Sequence, residues 1–489
     1  MTERERFERL VNKYQPDHRN RSFFERPHFS RRCFFRNAAA GVGGFLLADE
    51  AMRGETESAG SVVTKNTARN VIFLFLRGAP SHVDTFDFKY VEGVTPKKLA
   101  PESFGDITLP TGILANTARV VDKLAIIRSG LSWARAHPLA QNWMQVGRNP
   151  TTATGRIAPH IGSVVAIEKD LERRADQVFP TFIALNAQGR LPGGGYFPIQ
   201  HGPFRMRASS DGLAVTRHAA GRAVFNRRWQ LLQELDGPLR GVDSPFGYKA
   251  TGMGELYENA KRLMFNSAVE AAFTYTEEES ARYGSTPFGN AVLTARKVIE
   301  QDQGTRFIQI DSGGWDHHGN IYNTSDDDNN NIYTRTSQFD PAFAALIEDL
   351  ETAGKLSETL IVACGEFGRT PGKLSNSSGR DHYLQMFYLF AGGGVQGGTV
   401  IGATNDTGGR GPGAFTVEPG WSRDRDIRPE DVEATIYSAM GIDWTTIRND
   451  DPLGRRFYYV PLAEADVYSP VNELWGSDSA AAAQLTARG

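Results

Sequence analysis

Cysteine is nearly absent: the 489 residues hold two, Cys33 and Cys364. Cys33 falls in a segment that reads as a removable leader, which leaves Cys364 without a partner. A disulfide framework and a thiolate metal site are both excluded. Cys364 ends the apolar run TLIVAC and reads as a small buried residue. An excess of either charge is also missing. A formal net charge of −3 gives no electrostatic reason to bind nucleic acid. No stretch approaches the ~20 uninterrupted apolar residues that span a bilayer, so the mature chain is expected to be soluble, with no membrane attachment after export. No internal repeat is visible, and no G-x-G-x-x-G follows a strand and opens a helix. The acidic run SDDDNNN at 325–331 lacks the spaced ligands and glycine of a calcium loop and reads as a solvated turn. What the chain does have is 40% hydrophobic residues, enough for a large core in one big domain or two ordinary ones.

Residues 30–36 read SRRCFFR, and NAAAGVGGFLLA follows. Paired arginines before a weakly apolar, alanine- and glycine-rich run resemble the bacterial twin-arginine export signal. The run from Ala38 to Ala48 supplies the apolar region, and residues 49–68 read as cleavage region and polar linker. No cysteine follows the run, so a lipid-modified N-terminus is not expected. The resemblance implies export by the twin-arginine translocase to the periplasm or beyond, a route for proteins that fold first, often with metal bound. The division expected is 1–68 as signal and linker, and 69–489 as the folded domain.

Five apolar runs bounded by turn residues read as buried strands: VIFLFL (71–76), LAIIRSG (124–130), FIQID (307–311), TLIVACG (359–365) and MFYLFAGGG (386–394). Phe339, Phe343, Leu346, Ile347 and Leu350 fall on one face of a helix, and Val432, Ile436 and Met440 mark another that stops at Gly441. Strands alternating with helices give an α/β fold, a mostly parallel sheet flanked by helices. Between about 186 and 300 the pattern shifts to a glycine-rich loop, GRLPGGGYFPIQHGPF, and then long helical runs. This stretch is expected to be a helical insertion, with the glycine loop as a pocket wall.

Polar residues crowd the strand ends, where open α/β sheets bind ligands. SHVDTFD after the first strand offers His82, Asp84 and Asp87. His137 follows the second, and Asp311, Asp316, His317 and His318 follow the third. Glu366 and Arg369 follow the fourth, and Arg380, Asp381 and His382 precede the fifth. Imidazole and carboxylate are the ligands of zinc, manganese or iron. Asp316 and His318 are two apart, so an extended segment points them to one side. Such a gathering points to a divalent metal site, zinc or manganese first, with Asp84, His137, Asp316, His318, Glu366 and His382 as candidate ligands.

The motifs FLRGAPSHVDTFD, GGWDHHGN, GEFGRTP with GRDHY, and DVEATIYSAMGID together resemble the exported bacterial family of domain of unknown function 1501, over nearly all of residues 70–465. That family is similar in turn to the alkaline phosphatase and sulfatase superfamily. The remoter resemblance implies an alkaline-phosphatase-like core and places Glu366 where sulfatases carry a metal-binding aspartate, with Phe367 in place of the neighbouring ligand. Where sulfatases have paired aspartates after the first strand, this chain has Arg77-Gly78-Ala79, so Asp84, Asp87 or His82 would substitute. Ten residues before Gly147, where a sulfatase has its cysteine or serine nucleophile, stands His137, and Cys-x-Pro-x-Arg is absent. Formylglycine chemistry is therefore not expected.

His137 has three open roles: metal ligand, phosphoryl-accepting nucleophile, or relic in a site that binds without turnover. As a ligand it fits hydrolysis without a protein nucleophile, because a bound cation makes hydroxide from water near neutral pH. Arg380 or Arg369 would grip the anionic substrate. The expected function is an exported metal-dependent hydrolase of phosphate or sulfate esters, phosphate ahead of sulfate, with His137, Arg380 and Arg369 as catalytic residues. The rival is a non-catalytic exported protein that binds a polysaccharide or a surface protein through the same pocket.

Overall fold

The apolar run after Arg69 forms strand β1 (Asn70–Leu76), buried at every position. Its side chains alternate: Ile72, Leu74 and Leu76 enter one core, and Val71, Phe73 and Phe75 enter another. A strand covered on both faces needs apolar residues at both, so it reads as a continuous run. The computed structural model describes residues 56–57, 62–187, 191–209, 218–240, 248–324, 331–405 and 416–476. The twin-arginine motif, the apolar run after it and most of the 325–331 turn lie outside the described residues.

Seven further strands join β1: β2 (Leu124–Leu131), β3 (Phe182–Leu185), β4 (Phe204–Met206), β5 (Phe307–Ser312), β6 (Thr359–Cys364), β7 (Gln385–Ala391) and β8 (Thr399–Ile401). Their order across the sheet is β8-β2-β7-β6-β1-β5-β3-β4. Parallel pairing joins β1 to β5 and β6, β3 to β5 and β4, and β8 to β2. Only β7 runs against its neighbours, β2 and β6. The sheet is therefore mostly parallel, as the sequence pattern predicts. The five expected strands are present, and β3, β4 and β8 are additional. Those three have three or four residues each, too few for a hydrophobic pattern, and β4 and β8 are the sheet's edges.

Helices cover both faces. On one side lie α1 (His137–Val146) and α2 (Ile161–Lys169), whose Met144, Val146, Ile161 and Val165 pack with Phe73 and Phe75. Between β4 and β5 come α3 (Gly221–Arg240), α4 (Tyr248–Leu263) and α5 (Pro287–Gln301). They differ in kind. Helix α3 buries no residue and is held to α4 by Trp229 against Tyr257, whereas α5 buries nine residues against the sheet. The expected insertion thus also contains an edge strand and a core helix. Helix α6 (Ile332–Thr352) lays Phe339, Phe343, Leu346, Ile347 and Leu350 on the same face as α5. Helix α7 (Pro429–Ala439) is buried at every position, on the face of α1 and α2. Two of its acids are matched: Glu430 accepts from the indoles of Trp133 and Trp143 at 2.9 and 2.8 Å, and Asp431 takes a two-pronged bond from Arg425.

The glycine-rich loop at 189–204 lies partly outside the described residues. Its described part packs against residues 157–160, where Tyr196 donates its N–H to the Ile157 carbonyl and Gly193 accepts from His160. No helix among the described residues is long and apolar enough to cross a membrane.

Two predictions follow from the packing on β5. Phe307 is fully buried, with the rings of Phe182, His160 and Phe73 at 5.1, 5.8 and 6.2 Å. Phe307→Ala should cost about 3–5 kcal/mol, read as a lower urea midpoint at unchanged slope. His160 is also fully buried; its Nε2–H donates to Gln309 at 2.6 Å and its Nδ1 accepts from Gly162 N–H at 2.8 Å. Burial pushes its pKa down to about 3 from 6.5, against the hydrogen bond to Gln309. The unfolded chain therefore binds this proton first. The stability is complete above about pH 6.5 and declines as the pH falls toward 3. Urea midpoints measured from pH 7 to 4 should fall, and His160→Gln should flatten that slope.

Candidate metal centre

The C-terminal ends of β1, β2, β5 and β6 lie at one edge of the sheet. Because β7 is antiparallel, its N-terminal end lies there too. Three segments from this edge bring four donor atoms to a common point, from His137, Asp316, His318 and His382, all within 4.8 Å of one another. His137 opens α1, followed by Pro138 in the first turn, where proline's missing N–H costs nothing. Asp316 and His318 emerge on one side of the segment after β5, and His317 between them is buried. His382 is set by a short antiparallel ribbon that pairs it with Arg369 and Tyr383 with Gly368. Phe367 packs against the rings of His137 and His382 at 4.8 and 4.6 Å.

The hydrogen bonds fix which ring nitrogen faces inward. His382 Nδ1 lies 2.6 Å from the Arg135 carbonyl, which can only accept, so Nδ1 carries the proton. His137 Nδ1 lies 2.6 Å from Glu366 Oε1, and His318 Nδ1 lies 3.3 Å from Asp381 Oδ1. Each imidazole therefore gives its Nδ1–H to an outer oxygen and turns Nε2 to the centre, the arrangement that prepares histidine for a metal. The inner distances are 2.8 Å between His318 and His382 Nε2, and 3.2, 3.1 and 3.6 Å from Asp316 Oδ1 to the Nε2 of His137, His318 and His382. Two inward ring nitrogens at 2.8 Å must share either a proton or a cation. Tetrahedral bonds of zinc length separate donors by about 3.3–3.5 Å, within the observed spread, so the donor set fits a divalent cation.

Without a cation, the same groups compensate one another's charge, with the proton on His137 Nε2 facing Asp316. Burial lowers the pKa of the His137 imidazole, but hydrogen bonds to Asp316 and Glu366 outweigh it and lift the value to about 9. Burial raises that of Asp316, yet His137 and Arg369 hold its carboxyl well below the usual range. His382 is lowered by burial, then by Arg369 and His137. Side chains of Asp316 and His318 are 45% and 46% exposed, against 21% and 24% for His137 and His382, so the centre opens on one side. Beside it lies a cavity of about 570 Å³ lined by Ser375, Asn376, Ser377 and Asp381.

The remaining expected residues lie elsewhere. Glu366 is fully buried behind His137; its carboxylate also accepts from Gly78 N–H at 3.0 and 3.2 Å and from Gln141 at 2.9 Å. Asp84 is remote from the four donors: it accepts from Arg380 Nε and Nη2 at 2.6 and 3.0 Å, from Ser81 at 2.5 Å and from Tyr322 at 2.6 Å. Burial raises its pKa, but Arg380 overrides that and holds the carboxyl ionised. Neither acid faces the centre, which corrects the six-ligand set. The arginines need correcting as well. Arg380 has no exposed side-chain surface, and it also donates to the carbonyls of Thr370 and Gly372 and to the Tyr322 hydroxyl. Arg369 is equally buried, bonded to the carbonyls of Gly78, Ala79 and Arg380 and to Asp316 at 2.5 Å. With their N–H groups engaged inside the fold, neither can grip a substrate. Their roles are to hold the loops and, for Arg369, to orient Asp316. His82 and Asp87 are buried, the latter between Lys89 and Arg128 at 3.2 and 3.7 Å.

Sequence reasoning missed Gln141, and it named Gly78, Phe367 and Asp381 without a role at the centre. Gln141 was within reach, since it lies one turn from His137 on the same helix face. Gly78 has φ +106°, and a Cβ there would come within 2.7 and 2.8 Å of the backbone nitrogens of Asp316 and Trp315. Only glycine lets the β1 loop touch the loop that carries Asp316.

No curated protein matches the sequence. Solved structures to which the chain is similar include the PsFucS1 sulfatase from Pseudoalteromonas sp., at 12% identity and TM-score 0.36, covering 77% of this chain and 68% of that one. The lipoteichoic acid synthase LtaP from Listeria monocytogenes shares 10% identity at TM-score 0.33, covering 81% and 77%. Alkaline phosphatase from the Antarctic bacterium TAB5 shares 13% at TM-score 0.31, covering 67% and 92%. The family described as "Protein of unknown function (DUF1501)" matches residues 68–460, most of the chain, and the protein belongs to that family.

Proposed function

We propose that this protein is an exported metal-dependent hydrolase of phosphate or sulfate esters, phosphate ahead of sulfate, with zinc or manganese held by His137, Asp316, His318 and His382. One observation carries this reading: three imidazoles commit Nδ1–H outward and converge through Nε2 on one carboxylate oxygen. A bound divalent cation would supply Lewis acidity, polarising an ester oxygen and activating water at neutral pH. The chain's own part is positional. Asp316 is held by Arg369, and Phe367 fixes the planes of His137 and His382. The cavity beside His318 would receive the group that carries the ester. The leader at 30–36 would deliver the folded protein by the twin-arginine route, with residues 69–489 as the mature unit.

A second reading has its own support. Four protein donors fill a tetrahedral shell, which is the habit of structural rather than catalytic zinc. A closed site of that kind would suit a non-catalytic protein that binds polysaccharide or a surface protein.

Elemental analysis of the purified protein, with assays on aryl phosphates and aryl sulfates, decides between them. About one zinc or manganese per chain is expected, with turnover that vanishes in His318→Ala and His382→Ala as metal content falls. Metal at full occupancy without turnover on any ester would favour the binder. No metal after incubation with either ion would defeat both readings of the centre.

A further inference from the structure

Glu366 is joined to more than His137. Gln141, which donates to it, accepts at its own Oε1 from Arg77 Nη2 at 2.7 Å. Arg77 Nη1 pairs with Asp311 Oδ2 at 3.2 Å, and Asp311 Oδ1 accepts from Gln309 at 2.8 Å. Gln309 is in turn bonded to Gln145 and His160. The links come from α1, β5 and the residues that follow β1 and β6, so a continuous run of hydrogen bonds ties one imidazole to the middle of the sheet. Glu366 cannot easily move within it. Its carboxylate is fully buried, and displacing it would strand the Gly78 N–H, the Gln141 amide and the His137 Nδ1–H together.

We propose that Glu366 is a positioning residue: it fixes the Nδ1–H tautomer and the ring orientation of His137, and so raises the affinity of the four-donor centre for a divalent cation without ligating it. The proposal rests on the metal reading above. Geometry separates this role from that of a ligand. Glu366 meets the ring at Nδ1, whereas Asp316 meets it at Nε2, so the two carboxylates stand on opposite sides of one imidazole. Without Glu366, Nδ1–H has no acceptor, and a proton on Nε2 would point into the centre where a lone pair is needed. Outer carboxylates of this kind typically contribute 10–100-fold in metal affinity.

The test uses zinc titration in competition with a chromophoric chelator, and imidazole nitrogen spectra of the zinc-free full chain. The wild type should show a hydrogen-bonded Nδ1–H on His137. E366A should lose that signal and bind zinc about 10–100-fold more weakly, with circular dichroism unchanged. E366Q keeps an acceptor for the ring but sets an amide against Gly78 N–H, and should fall between. If E366A does not fold, Q141L tests the same relay: weaker zinc binding supports it and unchanged binding overturns it. Wild-type affinity in a folded E366A overturns the proposal alone. So does X-ray absorption showing one fewer zinc ligand in E366A, which would make Glu366 a ligand. Absence of zinc binding by the wild type overturns the metal reading and this proposal with it.

Discussion

Glu366 stands two residues past the end of β6 and is fully buried, and a carboxylate there must be matched donor by donor or the fold bears a cost of several kcal/mol. The matching donors come from three separate places. Gly78 supplies a backbone N–H from the loop after β1, and α1 supplies Gln141 and His137 from successive turns. Satisfying one buried charge therefore sets the approach of a loop, the rotation of a helix about its axis and the tilt of an imidazole. The left-handed backbone at Gly78 belongs to the same requirement, since it lets the loop pass beneath Trp315 and Asp316.

A second buried carboxylate does equivalent work on the other side. Asp84 and Arg380 form a fully buried pair whose remaining bonding capacity is taken up by Ser81, Tyr322 and two carbonyls. Buried pairs of this kind contribute little net stability, but removing one partner is expensive. The consequence is geometric. The segment after β1 is locked to the turn that precedes His382, and Arg369 ties the same ribbon to Gly78 and Asp316. The centre is thus enclosed by two sets of ionic contacts that do not touch a cation themselves.

Much of this was legible in the sequence because it follows from period and position. Continuous apolar runs mark strands buried on both faces, and the five longest strands of the sheet were found that way. The convergence of His137, Asp316, His318 and His382 could be anticipated because each sits just beyond a strand, or just before the one that runs backwards. Asp84, Glu366, Arg369 and Arg380 were placed at the right edge but given the wrong partners. Composition gives no means to tell an acid that faces the centre from one that faces a guanidinium. That distinction depends on which side chain is buried at the rim, and here the arginines are buried and the histidines are half open. Short strands such as β4, with three residues, leave no periodic trace, and in the glycine-rich loop the approach of Gly195 to the backbone of residues 157–159 leaves no room for a Cβ.

The burial of both arginines changes how an anionic ester would be held. A guanidinium grip is the usual way for a protein to neutralise phosphate or sulfate, and at this rim Arg369 and Arg380 are already neutralised by Asp316 and Asp84. Asp381 adds a further acid beside the cavity, and the other lining residues are uncharged. None of the four residues that line the cavity carries a positive charge. On the proposed reading, the cation itself supplies the main attraction for substrate. Three neutral imidazoles leave its charge largely unquenched, Asp316 cancels one unit, and Arg369 offsets Asp316 in turn. A centre built this way couples substrate binding to metal binding more tightly than one with an arginine clamp, because neither Arg369 nor Arg380 would hold the anion once the ion is removed.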